Sequence, residues 1–198
     1  DDVASAPKGE EARRRGIAGI FFLYKVAGAA ADAGYDLDAV VAATTKAAEQ
    51  TRTMGVALSP VTLPANGKPT FELPPGEMEI GMGIHGEPGI RRTALENADS
   101  ITADLVARID EDLDLAHGDE VAVLMNSLGS TPQEELYIMF KKVSEIFAAK
   151  GVKVYRTYVG EFATSLEMAG ASISVMRLDD ELKKFIDHPV HTPFFAQI

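Results

Sequence analysis

Glu120-Val121-Ala122-Val123-Leu124-Met125, followed at once by Asn126-Ser127-Leu128-Gly129-Ser130-Thr131-Pro132, decides the fold class. The first run is compact and rich in Val and Leu, the size of a buried strand rather than a helix. The second is turn chemistry. Thr131 stands as an N-cap, Pro132 at the first helical position and Glu134 three residues after Thr131, which together read as a capping box. The helix they open carries Leu136, Met139, Phe140, Val143, Ile146 and Phe147 inward, and Lys150-Gly151 closes it. Val152 to Val159 then reads as a further strand. Strand, loop, helix and strand in this order mark an α/β protein. Gly129 and the amides before the helix are of a kind that holds anions. No GxxxxGKS/T motif is present, however, and a well-capped connection accounts for the segment.

Working outward, Ile101, Leu105, Val106, Ile109 and Leu113 form a helical stripe with Ser100 as its cap, and His117-Gly118-Asp119 is a turn. Beyond the central unit, Ala171 to Leu178 alternates as a strand and Asp180 to Ile186 is a short helix. The Pro-rich, aromatic tail Pro189 to Ile198 is expected to pack down as an extended segment. Toward the N-terminus, residues 16–33 read as an Ala-rich helix ended by Gly34. Asp36 caps a second helix running to about Arg52, with Leu37, Val40, Val41, Thr44 and Ala48 as its inward stripe. Residues 1–15 are polar and lack a period. From Met54-Gly55-Val56-Ala57-Leu58 the texture is β, punctuated by Pro60, Pro64, Asn66-Gly67, Pro69 and Pro75-Gly76, with Thr70-Phe71-Glu72-Leu73 as one extended piece. The pattern predicts an α/β fold: a helix hairpin, then a sheet of about five or six strands with helices mainly on one face.

The chain has 198 residues, 46% hydrophobic and 25% charged, the composition of a globular domain. A net charge of −11 argues against nucleic acid or an anionic membrane as the main partner, though not against a small phosphorylated ligand. With no Cys, disulfides, thiolate catalysis and thiolate-bound metals are excluded, and a cytoplasmic location is expected. Arg13-Arg14-Arg15 before Gly16-Ile17-Ala18-Gly19-Ile20-Phe21-Phe22-Leu23 imitates a secretory signal. Lys25 interrupts the apolar run and Glu10 and Glu11 sit beside the arginines, so a buried helix is expected instead. The opening Asp1-Asp2-Val3 is no initiator sequence, which leads one to expect a missing N-terminal portion.

The densest chemistry lies in Gly81-Met82-Gly83-Ile84-His85-Gly86-Glu87-Pro88-Gly89. Met78, Ile80, Met82 and Ile84 alternate as a strand that leads into it, so His85 sits where a strand gives way to a loop. Gly83 and Gly86 strip side chains from around the imidazole, as close approach by a small molecule requires. His85 is either a turn residue bonded to backbone or a nucleophile or base. Glu87 either orients its ring or is a solvated carboxylate. His117, His188 and His191 show no metal-ligand spacing to His85. Thr164-Ser165-Leu166-Glu167 follows a strand and reads as another capping turn, with pocket lining as the alternative. His188 and His191, locked between prolines, read as structural.

The run Glu77 to Ile90 closely resembles the signature of the dihydroxyacetone kinase K subunit, the DAK1 family. Arg14-Arg15-Gly16, Gly55-Val56-Ala57-Leu58, Pro64-Ala65-Asn66-Gly67-Lys68-Pro69, Asn126 to Pro132, Thr164 to Met168 and His188 to Pro193 are similar as well, in order along the chain. The resemblance implies that His85 adds through Nε2 to the ketone of dihydroxyacetone as a hemiaminal, with Gly83 and Gly86 at the substrate. It implies a DAK1/DegV-like second domain at 54–198, preceded by a helical segment at 1–53 left from an N-terminal lobe. It also implies that this chain binds no cofactor and that ADP or ATP with magnesium sits on a partner L subunit or domain. Other implied partners are the N-terminal half of the K subunit and further copies in a homo-oligomer. That half, with its GGGSGHEP-type segment and acidic base, does not occur here, so little turnover is expected of the chain alone. The rival readings are a dihydroxyacetone-sensing co-regulator and a kinase for a larger ketose such as erythrulose.

Overall fold

The structure, a computed structural model, describes residues 1–198. After a polar segment pinned by buried Asp2, helices α1 (Ile20–Asp32) and α2 (Leu37–Glu49) form the expected hairpin. Asp36 caps α2 by accepting from the Ala39 N–H at 2.9 Å. Strand β1 (Thr51–Ala57) follows directly, and a small hairpin, β2 (Thr62–Leu63) with β3 (Lys68–Pro69), interrupts the path to β4 (Glu77–Ile80) and β5 (Arg91–Ala94). Then come α3 (Ala98–Leu113), β6 (Glu120–Ser127), α4 (Gln133–Lys150), β7 (Lys153–Gly160), β8 (Gly170–Leu178) and α5 (Asp180–Asp187). The tail hairpin β9 (Val190–His191) and β10 (Ala196–Gln197) completes the chain. The mixed sheet has six strands in the order β5-β4-β1-β8-β6-β7, with only β6 and β7 parallel.

The expected α/β class and the six-stranded sheet are therefore present, but helices cover both faces rather than mainly one. Alternation along β6 explains why. Val121, Val123 and Met125 point into a core with Met54, Val56, Ile173 and Val175, covered by Leu105, Ile109, Leu136, Val143 and Phe147 of α3 and α4. Ala122 and Leu124 point the other way, with Tyr158 and Met176, into a core closed by Phe21, Phe22 and Val26 of α1, Ala43 and Ala47 of α2 and Leu182 and Phe185 of α5. A strand apolar on both sides needs cover on both sides. Residues 1–53 thus share a core with the strands of 54–198.

Several local expectations change on the same grounds. The buried face of α2 is Ala43 and Ala47, while Leu37 is 76% exposed and Val41 54% exposed. Small side chains let α2 lie close against Ala29 and Ala30 of α1, which turns the larger residues outward. Helix α3 is capped by Asn97, not Ser100: the Ser100 N–H donates to Asn97 Oδ1. The Thr131 capping box does not form, because Thr131 Oγ1 accepts from the Gly170 N–H at 2.8 Å and ties the loop to β8. No helix follows Thr164; Glu167 instead accepts from the Thr62 N–H at 2.5 Å. Thr70–Leu73 is not a strand, and β5 was not expected, since Arg91-Arg92-Thr93-Ala94 carries no apolar period. As a charged edge strand it terminates the sheet. Lys25 is buried on α1 as expected of a helix there, its Nζ donating to the His188 carbonyl at 2.8 Å. No helix is long and apolar enough to cross a membrane.

Candidate functional site

The strand that leads to His85 ends at Ile80, four residues earlier than the alternation suggests. At Gly81 the backbone takes φ +79° and its N–H donates to the Gly55 carbonyl at 2.7 Å, which turns the chain off the sheet. Residues 81–90 then form a closed loop. Its neck is the Ile90 N–H donating to the Ile80 carbonyl at 2.8 Å, and its waist is the Gly83 N–H donating to the Glu87 carbonyl at 2.9 Å. Buried Glu79 supports the neck, accepting from the Gly89 N–H at 2.9 Å and from Arg92 Nη2 at 2.8 Å. Met82 anchors the underside beside Ala57, Val61, Leu128 and Met168.

His85 stands on this loop with 77% of its side chain exposed. Glu87 grips it twice: the backbone N–H of His85 donates to Oε2 at 3.0 Å, and Nδ1 lies 3.0 Å from Oε1. Burial alone would raise the Glu87 carboxyl, but the hydrogen bonds from the His85 ring and backbone outweigh it and hold it below its ordinary value. Glu87 is therefore an acceptor, Nδ1 carries the proton, and in the neutral ring Nε2 keeps its lone pair. This is an imidazole oriented by a carboxylate, with its free nitrogen on the solvent side, an arrangement suited to a nucleophile or base.

The two flanking glycines have an immediate structural reason. A Cβ on Gly83 would lie 2.2 Å from Glu87 Oε2 and 2.6 Å from Arg15 Nη1. Gly86 takes φ +89°, and a Cβ there would lie 2.4 Å from Thr70 Oγ1. The groups that approach closely are thus the protein's own: Gly83 makes room for the carboxylate that orients His85, and Gly86 for Thr70. From sequence, Arg15 stands only within the basic run Arg13-Arg14-Arg15 and the family-like run Arg14-Arg15-Gly16, with no role attached. Its Nε donates to Asp2 Oδ2 at 2.8 Å and its Nη2 to the Gly81 carbonyl at 3.1 Å. Burial pushes the Asp2 carboxyl up despite the arginine beside it. Nothing local in a polar N-terminal segment signals a contact across so many residues.

The other histidines stand apart from this loop. His188 Nε2 lies 2.7 Å from Asp32 Oδ2, the His117 ring packs on Gly151, and His191 belongs to the tail hairpin. The 127–133 loop borders a separate polar cavity of about 430 Å³, lined by Ser127, Gly129, Ser130, Gln133 and Glu161 and not by His85. No cluster of three His, Cys, Asp or Glu residues is arranged to hold a metal ion.

Comparison with known proteins gives a consistent result. The Dak1 domain profile matches residues 1–194. The "PTS-dependent dihydroxyacetone kinase 2, dihydroxyacetone-binding subunit DhaK" of Listeria innocua is 49% identical over 195 residues, covering 98% of this chain and 58% of that protein. A D-erythrulose kinase of Mycolicibacterium smegmatis is 44% identical, covering 100% of this chain and 34% of its own length. This chain thus spans from about a third to somewhat over half of such relatives. Among solved structures, the dihydroxyacetone kinase operon co-activator Dha-DhaQ superposes with a TM-score of 0.87 at 31% identity, covering 96% of this chain and 59% of that one. The dihydroxyacetone kinase of C. freundii in complex with AMP-PNP and Mg2+ superposes at 0.72 with 30% identity, covering 88% and 32%. A DegV lipid-binding protein from Thermotoga maritima, at 9% identity and TM-score 0.59 over 81% of this chain and 56% of that one, shares the fold.

Proposed function

The chain belongs to the Dak1 domain family, and on that premise we propose that it is the ketone-holding part of a dihydroxyacetone kinase, with His85 as the binding group. The observation that carries this is the pairing of Glu87 with Nδ1, which presents Nε2 as the free nucleophilic nitrogen. Nε2 adds to the carbonyl carbon of dihydroxyacetone. A C–N bond forms, the carbonyl π pair moves to oxygen, and that oxygen takes a proton from solvent. Positive charge developing on the ring is offset by the Glu87 carboxylate through the Nδ1 proton. Glycerol, having no electrophilic carbon, is refused. The tether holds the terminal hydroxyl in place and so lowers the entropic cost of transferring phosphate to it.

In this reading residues 54–198 are the ketone-holding lobe, and 1–53, packed on its sheet, lead to it from the preceding lobe of the relatives. Gly83 and Gly86 stand at the substrate, Gly83 admitting the carboxylate that orients His85 and Gly86 making the left-handed turn that follows it. The phosphoryl group comes from an L subunit or domain that carries ADP or ATP with magnesium, and the protein acts in the cytoplasm as a homo-oligomer completed by an N-terminal half. A binding-only, co-activator role is favoured by the similarity to Dha-DhaQ, and a four-carbon ketose by the similarity to the erythrulose kinase.

Intact-mass spectrometry under native conditions tests the proposal. The chain should gain the full mass of one dihydroxyacetone with no water lost, glycerol should add nothing, and His85→Ala should abolish the gain. An undiminished adduct in His85→Ala would defeat it. Completing the chain with an N-terminal half and adding an L subunit with its donor then separates a kinase, which releases a phosphorylated ketose, from a sensor, which does not. The relative adduct yield with erythrulose ranks the ketoses.

A further inference from the structure

We infer that Arg15 is a positioning residue for His85: a strut from the N-terminal segment that holds the Gly81–Gly89 loop so that Glu87 fixes the ring. The guanidinium is planar and offers donors in a rigid fork. Here two edges of that fork are committed and the third is aimed. Nε bonds Asp2 Oδ2 at 2.8 Å, and Nη2 reaches both Asp2 Oδ2 at 2.6 Å and the Gly81 carbonyl at 3.1 Å. Nη1 comes against Gly83, on the same spot that Glu87 Oε2 approaches from its own side. Asp2 is itself held, its Oδ1 accepting from the Ala4 N–H at 3.0 Å, and its side chain is almost fully buried. The anchor is therefore rigid, and it grips the loop at its first carbonyl, with Nη1 lying against Gly83, two residues before His85.

Glu87 is ionised and exposed enough to swing away from the ring, since 40% of its side chain is open to solvent. Nη1 and Oε2 flank Gly83 without pairing, and a cation on that side, with a loop whose neck cannot slide, favours the rotamer in which Oε1 meets Nδ1. Arg15 thus acts through Glu87 and the loop backbone and touches no reacting atom. A lysine cannot reproduce it, because a single ammonium cannot span Asp2, the Gly81 carbonyl and Gly83 together. The inference rests on His85 being the ketone-binding group for its catalytic meaning, while the positioning itself is independent of any ligand.

Ring 15N NMR of the chain, with its four histidines, reads it directly. The native His85 ring should show the Nδ1–H tautomer. Arg15→Gln and Arg15→Lys should both move its ring shifts toward a tautomer mixture and leave His117, His188 and His191 unchanged. Asp2→Asn, which keeps a side chain of the same shape, should do the same to a smaller degree. If the native adduct forms, its rate of formation should fall on the order of 10²-fold in Arg15→Gln, the cost of misplacing a reacting group by about 1 Å. A His85 signature identical to native in folded Arg15→Lys and Asp2→Asn would overturn the inference, even if Arg15→Gln failed to fold. Tautomer changes in these variants, with no ketone adduct on the native chain, would leave the strut standing and defeat the ketone reading instead.

Discussion

The two faces of the sheet are built differently. On the face under α3 and α4, the side chains of β1, β6 and β8 are apolar except at the strand ends, where Arg52, Ser127 and Arg177 stand: Met54 and Val56, Val121, Val123 and Met125, Ala171, Ile173 and Val175. The opposite face is apolar only over β6, β7 and the far end of β8. Toward the His85 loop it becomes small and polar, in cross-strand rows of Thr53, Ser174 and Leu124, then Gly55, Ser172 and Asn126. Each of these polar groups is buried and partnered. Thr53 Oγ1 is paired with Ser174 Oγ at 2.7 Å and Asp1 Oδ2 at 2.5 Å, and Asn126 Oδ1 accepts from the N–H groups of Phe162 and Ala163. One face holds the fold together by dispersion and burial. The other exchanges some of that for directed bonds that fix loops, and the loops carry the site.

The contrast breaks first, and hardest, at Phe147. Phe147→Ala empties a fully buried position of the first face and should cost about 3–5 kcal/mol in urea unfolding, while any folded protein keeps its His85 ring signature. A change in that signature would mean that the two faces are not separable. Next comes the polar face. Thr53→Val leaves Ser174 and Asp1 short of a partner and should cost about 1–3 kcal/mol despite near-equal volume. A neutral or stabilising result would make this face an ordinary core.

Asp112 bridges the regions, paired with buried Arg14 at 2.5 Å and with Arg52. Burial alone would raise its carboxyl, but the two guanidinium groups outweigh that and pull it from 3.8 to about 2. Because the folded value is depressed, the stabilisation is present above the ordinary carboxylate value and is lost as pH falls through about 2. Thermal melts of the native chain and Asp112→Asn should therefore differ at pH 5 and converge toward pH 2. The smallest effect is expected at Leu37→Gln, within about 0.5 kcal/mol, because this residue faces solvent. A large loss there would restore the inward stripe that α2 does not have.

Legibility followed the range of the forces. The stripes of α3 and α4, the Asp36 cap and the Gly151 stop are local and were readable, as were β6 and β8 from their apolar runs. The loop after β4 and its histidine were readable from glycine density alone. Three features were not. Thr131 matches a capping box, yet a strand 39 residues away offers its oxygen a better-placed N–H. Leu37 and Val41 have helical spacing, yet alanines permit the closer helix contact. The charges of β5 hide an edge strand.

By itself the sequence determined the long helices and the central strands, and that a histidine among glycines sits at a loop with Glu87 two residues on. Those outcomes depend on side-chain period, backbone restriction and caps, all of which act within a few residues. Only the tertiary structure decided that helices cover both faces, that the polar rows lie toward the loop, and that Arg15 reaches from the N-terminal segment to the Gly81 carbonyl. Such contacts join residues with no local reason to meet. They exist because burying both sides of one apolar sheet brings distant polar groups within hydrogen-bonding reach.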